Sequence, residues 1–348
     1  MLVIMFKPSI GLVIQGPIIS EGLSGKTFGY GKTRVNPNRF IRFDCTRNIN
    51  DLILNSRKLF DACVLSTWND STTLELVKKI DTDNLLILPD PGVDSKPFRK
   101  PIPGLKHAHQ MNGTLRQFTS VLAGAEWLFA RDIQYMVKVR TDQHLDLVRL
   151  RKEIENFINS DELFFAPYLL NNPIYAIPDF YLAGKTSHLI SLCKLMSAKV
   201  PRYHESPHRD LAVKSLIVSN RITLNFPLMD LYFDQEAYSS NIKRLFEEIP
   251  KIWRRGSREL FSSMKWRGEY FSNIPSGAVF FDEPFDLNSF GMEERIHTFN
   301  EKRLFKQVFG TEKWHLVALI LTRNYFVKLL RKARRGLSFL RFRGRYKV

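Results

Sequence analysis

The sequence predicts an α/β fold, a mostly parallel Rossmann-like sheet flanked by helices, on three observations. Short apolar runs alternate with amphipathic stretches through the first half of the chain, and repeated strand, crossover and strand units of this length call for parallel pairing. Each apolar run ends in polar or turn-forming residues: Gln15-Gly16-Pro17, Ser66-Thr67-Trp68, Asp90-Pro91-Gly92 and Arg140-Thr141-Asp142. In parallel sheets such ends share one rim, and ligands lie beyond it. Finally, 348 residues with 44% hydrophobic and 25% charged content suffice for one large core or two smaller ones.

The elements follow in order. Ile10 to Gly16 reads as the first strand. The preceding residues are apolar, but Lys7 and Pro8 interrupt them and no small-residue cleavage site follows, so a strand is expected rather than a signal peptide or a membrane span. Ile49 to Phe60 is an amphipathic helix, Ala62 to Trp68 a second strand, Leu74 to Ile80 another helix, and Asn84 to Gly92 a strand stopped by Pro89, Pro91 and Gly92. From Asn112 to Ala130, Leu115, Phe118, Leu122, Ala125 and Phe129 fall on one helical face. Tyr135 to Val139 is the next strand. Ser20 to Asn48 and Asp94 to Met111 are then long rim loops, the first made mobile by Gly22, Gly25, Gly29 and Gly31, and either a lid that orders with ligand or a binding or disordered loop. Beyond Asp146 come a helix over Leu147 to Ile158, a strand over Leu163 to Tyr168, a turn at Gly184 followed by a helix to Ala198, and a helix over Asp210 to Val218. Phe246 to Glu283 has no clear period. The expected division is a main domain over 8–245, with halves 8–146 and 147–245, an extension over 246–313 that closes the second half, and a tail over 314–348.

Charge narrows the partners. The chain has 52 Lys and Arg against 35 Asp and Glu, a net charge of +17, which implies an anionic partner of some kind. Thr322–Val348 contains no acidic residue and interleaves its Arg and Lys with Val327, Leu329, Leu330, Phe339 and Phe342. Such a basic amphipathic tail suits an anionic membrane surface, with a solvated tail and a nucleic-acid arm as the alternatives. The scattered Cys45, Cys63 and Cys193 fit a reducing cytoplasm.

At the rim, Asp142 follows a strand carrying Lys138 and Arg140. A carboxylate there suits a magnesium or manganese ion shared with a diphosphate, while the two cations take phosphate charge directly. The plainer reading of Asp142 is a turn or helix-capping residue. Asn112 and Arg116 sit one turn apart on a helix face with Gln117 beside them, which could present a cation and amides to a ligand or simply face solvent. Asp90 is a ligand contact or the cap of its own Pro-Gly turn.

The stretches VIQGPI, VLSTWND, LPDPG, MNGTLRQFTSVLAG and VKVRTDQ, in this order and spacing, resemble the WavE family of lipopolysaccharide-synthesis glycosyltransferases. The likeness covers roughly the first half of the chain and extends more weakly through DFYLAGKT and DQEAY. It implies a glycosyltransferase type A-like fold and a nucleotide-sugar donor met by Gln15, Gly16 and Pro17, with hydroxyls of Ser66 and Thr67 on ribose or base and Trp68 covering it, or merely packing. It also implies a metal at Asp142, although Thr-Asp-Gln replaces the family's paired aspartates. Asp179, in IPDFYLAG, matches the turn beneath the acceptor. An inverting transfer needs a proton acceptor near the attacking hydroxyl. Glu236 is the expected base, Asp179 a contact, and His188, His204 and Asp210 lesser candidates.

The sequence lacks the phosphate-loop, Gly-x-Gly-x-x-Gly, Cys-x-x-Cys and His-Glu-x-x-His patterns. The reading is a cytoplasmic, membrane-peripheral glycosyltransferase acting on a lipid-linked or lipopolysaccharide glycan, its inner-leaflet position set by the tail. A sugar nucleotidyltransferase and a non-enzymatic basic binding module are the rivals, nucleic acid being the least expected partner.

Overall fold

The computed structural model describes residues 7–27, 41–69, 73–91, 110–172, 174–197, 207–221, 248–275 and 277–283. A seven-stranded sheet organises them. Its central strands are β1 (Ile10–Gln15), β4 (Ala62–Asn69), β5 (Leu85–Pro89) and β6 (Tyr135–Arg140), and its far side holds β8 (Phe164–Ala166), β11 (Leu182–Lys185) and β12 (Trp253–Arg255), in the order β12-β8-β11-β6-β1-β4-β5. The β6-β1-β4-β5 block is parallel, as the polar strand ends require, and β12 is parallel to β8. The exception is β11, antiparallel to both its neighbours. The fold is therefore mixed α/β with a mostly parallel sheet.

Two apolar layers cover the sheet. On one face α3 (Gln110–Phe129), α5 (Thr186–Ser197) and α6 (Pro207–Val218) bury Val13, Val64, Met136, Phe118, Ala125, Leu192 and Leu216. On the other, α1 (Thr46–Ser56) and α4 (Leu147–Ile158), with α7 (Arg258–Ser263), enclose Leu12, Ile14, Leu65, Val137, Ile49, Ile154 and Phe261. Alternation along β1 and β6 sends successive side chains to opposite layers. Apart from Ala125, each of these side chains would lose about 1.5–3 kcal/mol of hydrophobic stabilisation if exposed, before the entropic cost of ordering it.

The differences from the sequence expectation have local causes. The first helix starts at Thr46 and stops at Ser56, where the Ser56 hydroxyl folds back to the Ile53 carbonyl at 2.8 Å and the chain turns through Leu59. The helix expected over Leu74 to Ile80 is one short α-turn, α2 (Thr73–Leu76), continued as a tighter helix at Val77–Lys79. Gly184 is not a turn but lies inside β11, where an added Cβ would stand 3.0 Å from the Leu163 carbonyl oxygen. Part of the first rim loop is an antiparallel pair of strands, β2 (Ile19–Gly22) and β3 (Ile41–Asp44). At Gly22, whose φ is +139°, a Cβ would meet Arg267 Nη1 at 2.7 Å, so that glycine permits close packing.

The aperiodic stretch after Phe246 is built into the main body. Beyond β12 and α7, a hairpin of β13 (Lys265–Trp266) and β14 (Glu269–Tyr270) pairs with β7 (Gln143–His144). A small sheet joins β9 (Leu169–Asn172), β10 (Ile174–Ala176) and β15 (Ala278–Val279). Trp253–Arg255, within the stretch expected as an extension, is thus an edge strand of the central sheet. The hairpin returns to the carboxyl end of β6.

Candidate active site

The chain passes from β1 to β4 and β5 on one side and later places β6 on the other. That reversal makes the crevice between the carboxyl ends of β1 and β6 the topological switch point. Gly16, with φ of +141°, lies so close to Thr141 that a Cβ would be 2.5 Å from its Oγ1. The Thr141 hydroxyl donates to the Pro17 carbonyl at 2.7 Å, its N–H donates to the Gln15 carbonyl at 2.9 Å, and the Asn48 amide donates to the Thr141 and Gln143 carbonyls at 2.6 and 2.7 Å. The two strand ends are stitched together by short polar contacts. Gln15 is buried on the α3 face of this joint.

Asp142 is wholly buried, and five contacts from four residues converge on it. Ser20 Oγ donates to Oδ2 at 2.7 Å, Arg140 reaches Oδ1 at 3.0 Å and Oδ2 at 3.1 Å, Trp266 Nε1 donates to Oδ2 at 3.1 Å, and Arg267 Nε lies 3.2 Å from Oδ2. The Trp266 indole lies under both guanidiniums, 4.6 Å from Arg267 and 5.8 Å from Arg140. Burial alone would raise the Asp142 carboxyl's pKa, but Arg140, Arg267 and Ser20 outweigh that and hold it well below the usual carboxylate range.

This environment does not fit the divalent ion expected at Asp142. A carboxylate offers about four lone-pair sites, and one oxygen here already faces four donors. A dication would also sit against two guanidiniums. Among the described residues, no group of three or more His, Cys, Asp or Glu side chains could hold a metal ion.

A second carboxylate lies on the far side of Arg140. Asp179 Oδ2 is 3.6 Å from Arg140 Nη1, and its Oδ1 is 3.2 Å from His208 Nε2. Lys138, wholly buried in mid-strand, donates to the Asp179 backbone carbonyl. Burial lowers the Lys138 pKa to about 8, partly offset by Asp179. For Asp179, burial is outweighed by the hydrogen bond and charge of His208 and by Lys138 and Arg140, so its carboxyl is held well below the ordinary range. With His208 counted as neutral, three cations, Lys138, Arg140 and Arg267, face two carboxylates, Asp142 and Asp179, an excess of one positive charge. Such a crevice favours an anion.

The other expected contacts line the β4 and β5 side of the rim. Arg116 grips Asp90 with a fork, Nε to Oδ1 at 2.7 Å and Nη2 to Oδ2 at 2.5 Å, and lies 5.9 Å from the Trp68 ring centroid. The Ser66 hydroxyl is engaged by the Ser120 carbonyl at 2.8 Å, so it anchors α3 to the sheet. Thr67 Oγ1 and Gln117 Nε2 are buried without a hydrogen-bond partner among the described residues. Buried polar atoms of this kind ordinarily have partners. Gln117 lies one turn before Ser120, at the level of the β4 carboxyl end, where a ligand oxygen would satisfy it. Asn112 lies in the first turn of α3, its side chain outside the described residues, as is all of Glu236.

The structure adds residues that sequence reasoning missed: Ser20, Trp266 and Arg267 around Asp142, and His208 on Asp179. Of the lesser candidates, Asp210 forms a buried ion pair with Lys214 at 2.8 Å. His188 packs beside Phe164 on α5, and His204 lies outside the described residues.

No family model matches the chain, and no curated protein does. Solved structures are similar at low identity. A mannose-1-phosphate geranyltransferase from Thermus thermophilus aligns over 60% of this chain and 68% of its own, at 10% identity and a TM-score of 0.29. A glycosyltransferase involved in glycosylation of the major capsid of PBCV-1 aligns over 71% and 81%, at 10% identity and a TM-score of 0.26. HddC from Yersinia pseudotuberculosis aligns over 53% and 79%, at 9% identity and a TM-score of 0.26. At these scores the likenesses carry no argument about residues or activity, and the fold stands on its own sheet order.

Proposed function

We propose that the protein is a glycosyltransferase that takes a sugar from a nucleotide-diphosphate donor, bound in the crevice between β1 and β6, and passes it to a hydroxyl of a lipid-linked or lipopolysaccharide glycan. The observation that carries the reading is the excess of cations at the topological switch point. Arg140, partly exposed and backed by Lys138, faces the place where a diphosphate would lie. Gly16 lets the end of β1 close on Thr141, and in this reading the nucleoside lies towards Gln117, Trp68 and the Asp90–Arg116 pair. The cations stabilise the negative charge that grows on the departing diphosphate. The acceptor class comes from the resemblance to the WavE family, and the basic segment Thr322–Val348 fits a membrane-bound acceptor. Among the described residues no helix is long and apolar enough to cross a membrane.

The test is thermal stabilisation by uridine, guanosine, adenosine and cytidine diphosphate sugars, each with manganese or with chelator, on the wild type and on Arg140→Lys. One donor class should raise the unfolding midpoint in chelator as well as in manganese, and Arg140→Lys should lose most of that rise. Stabilisation by nucleoside triphosphates plus a sugar 1-phosphate, but by no diphosphate sugar, would instead favour nucleotidyl transfer.

A further inference from the structure

We infer that His208, oriented by Asp179, is the group that takes the proton from the attacking hydroxyl. The inference rests on the donor site proposed above and adds the acceptor's proton acceptor to it.

Four contacts carry it. His208 Nε2 lies 3.2 Å from Asp179 Oδ1. The His208 side chain is 38% exposed and the Asp179 side chain 16%, so the imidazole is the outer member of the pair and meets solvent or substrate first. Asp179 is held from beneath by β6, through Arg140 at its carboxylate and Lys138 at its carbonyl. The Ile177 N–H donates to the His208 carbonyl at 3.0 Å, tying the start of α6 to the segment that leads into Asp179. A central strand therefore fixes the carboxylate, and the carboxylate fixes the ring. A base oriented by a third group is the arrangement that proton abstraction requires.

The pair also spans both halves of the reaction. Asp179 presents one oxygen to His208 and the other to Arg140. The proton acceptor and the cation that faces the leaving group thus flank a single carboxylate. With Nε2–H donating to Asp179, the Nδ1 lone pair receives the proton of the acceptor hydroxyl. The hydroxyl oxygen forms its bond to the anomeric carbon as the bond from that carbon to the diphosphate oxygen breaks. The bonding pair leaves on the nucleoside diphosphate beside Arg140, and the new imidazolium is balanced by Asp179 until its proton passes to solvent. Attack opposite the leaving group inverts the anomeric configuration.

The neighbouring groups are poorer candidates. Asp179 already faces an imidazole and a guanidinium, Lys138 is wholly buried against a carbonyl, and Asp210 is buried with Lys214.

The experiment measures two things on wild type, His208→Ala and His208→Gln. The first is thermal stabilisation by the panel of nucleoside diphosphate sugars. The second is nucleoside diphosphate released from the donor that binds, with water as acceptor and, in parallel, with a total lipid and glycan extract supplying hydroxyls. Both variants should keep the donor-induced rise in midpoint while release falls by roughly 10²-fold or more, the scale of general-base catalysis. Free imidazole should restore part of the rate to His208→Ala but not to His208→Gln, an effect that a merely structural role would not produce. Donor binding with release unchanged in His208→Ala, or with no release by the wild type in either reaction, overturns the assignment and leaves the donor site standing. A wild type that responds to no diphosphate sugar overturns the donor reading, and this inference with it.

Discussion

Asp142 shows how a residue can be located from sequence while its task is not. Its place at the end of an apolar strand was legible in VKVRTDQ, because strand length and the polar exit are local. Its partners were not, since Ser20 is 122 positions before it and Trp266 is 124 after it. Asp142→Asn leaves two guanidiniums short of a buried counter-charge, and should cost about 3–5 kcal/mol in urea unfolding. The folded Asp142 carboxyl sits below its unfolded value. Its contribution is therefore complete above the unfolded pKa of about 3.9 and drains away as acidity deepens towards the folded value. Stability of the wild type should fall below about pH 4, with a shallower acid limb in Asp142→Asn. Lys138 works in the opposite sense. Its folded pKa of about 8 lies below the unfolded 10.5, so the unfolded chain holds the extra proton between those values and Lys138 burdens the fold at lower pH. The stability of the wild type minus that of Lys138→Met should rise across that window, as chemical denaturation at stepped pH would show.

Elements were read well where their period was long and poorly where neighbours decided. The 12-residue helix Leu147–Ile158 falls where its pattern put it, capped by the Asp146 side chain on the Arg149 N–H. The strand Leu182–Lys185 was missed because its glycine suggests a turn, and only the close approach of the Leu163 carbonyl explains that glycine. The β1–β6 joint depends on a glycine in the same way. Gly16→Ala places a Cβ at 2.5 Å from the Thr141 hydroxyl on a backbone of positive φ. It should cost about 1–3 kcal/mol of stability, read as a lowered unfolding midpoint. Because Thr141 must move, the same variant should lose donor-induced stabilisation out of proportion to its lost stability. An equal loss in both would mean that the joint holds the sheet but does not shape the crevice.

At the scale of the molecule, the site is assembled from both ends of the described chain. The parallel block supplies Gln15, Gly16, Lys138 and Arg140, the β11 approach supplies Asp179, α6 supplies His208, and the late hairpin closes on Asp142 with Trp266 and Arg267. That closure was illegible in sequence because residues 248–275 and 277–283 form strands of two or three residues and a short helix, too short for any period to show. Charge patterning works at this same scale and needs no fold to be read. The crevice has its own cations, so donor binding should not require the basic tail, whereas a membrane-bound acceptor should. Deleting Thr322–Val348 should leave stabilisation by the donor sugar unchanged while abolishing sedimentation with vesicles rich in anionic lipid. Each Lys or Arg near such a surface contributes about 1 kcal/mol, a contribution that added salt screens. Vesicle binding that survives the deletion would move the membrane-facing charge onto the body of the protein. Donor binding lost with the tail would show that the crevice is incomplete without it.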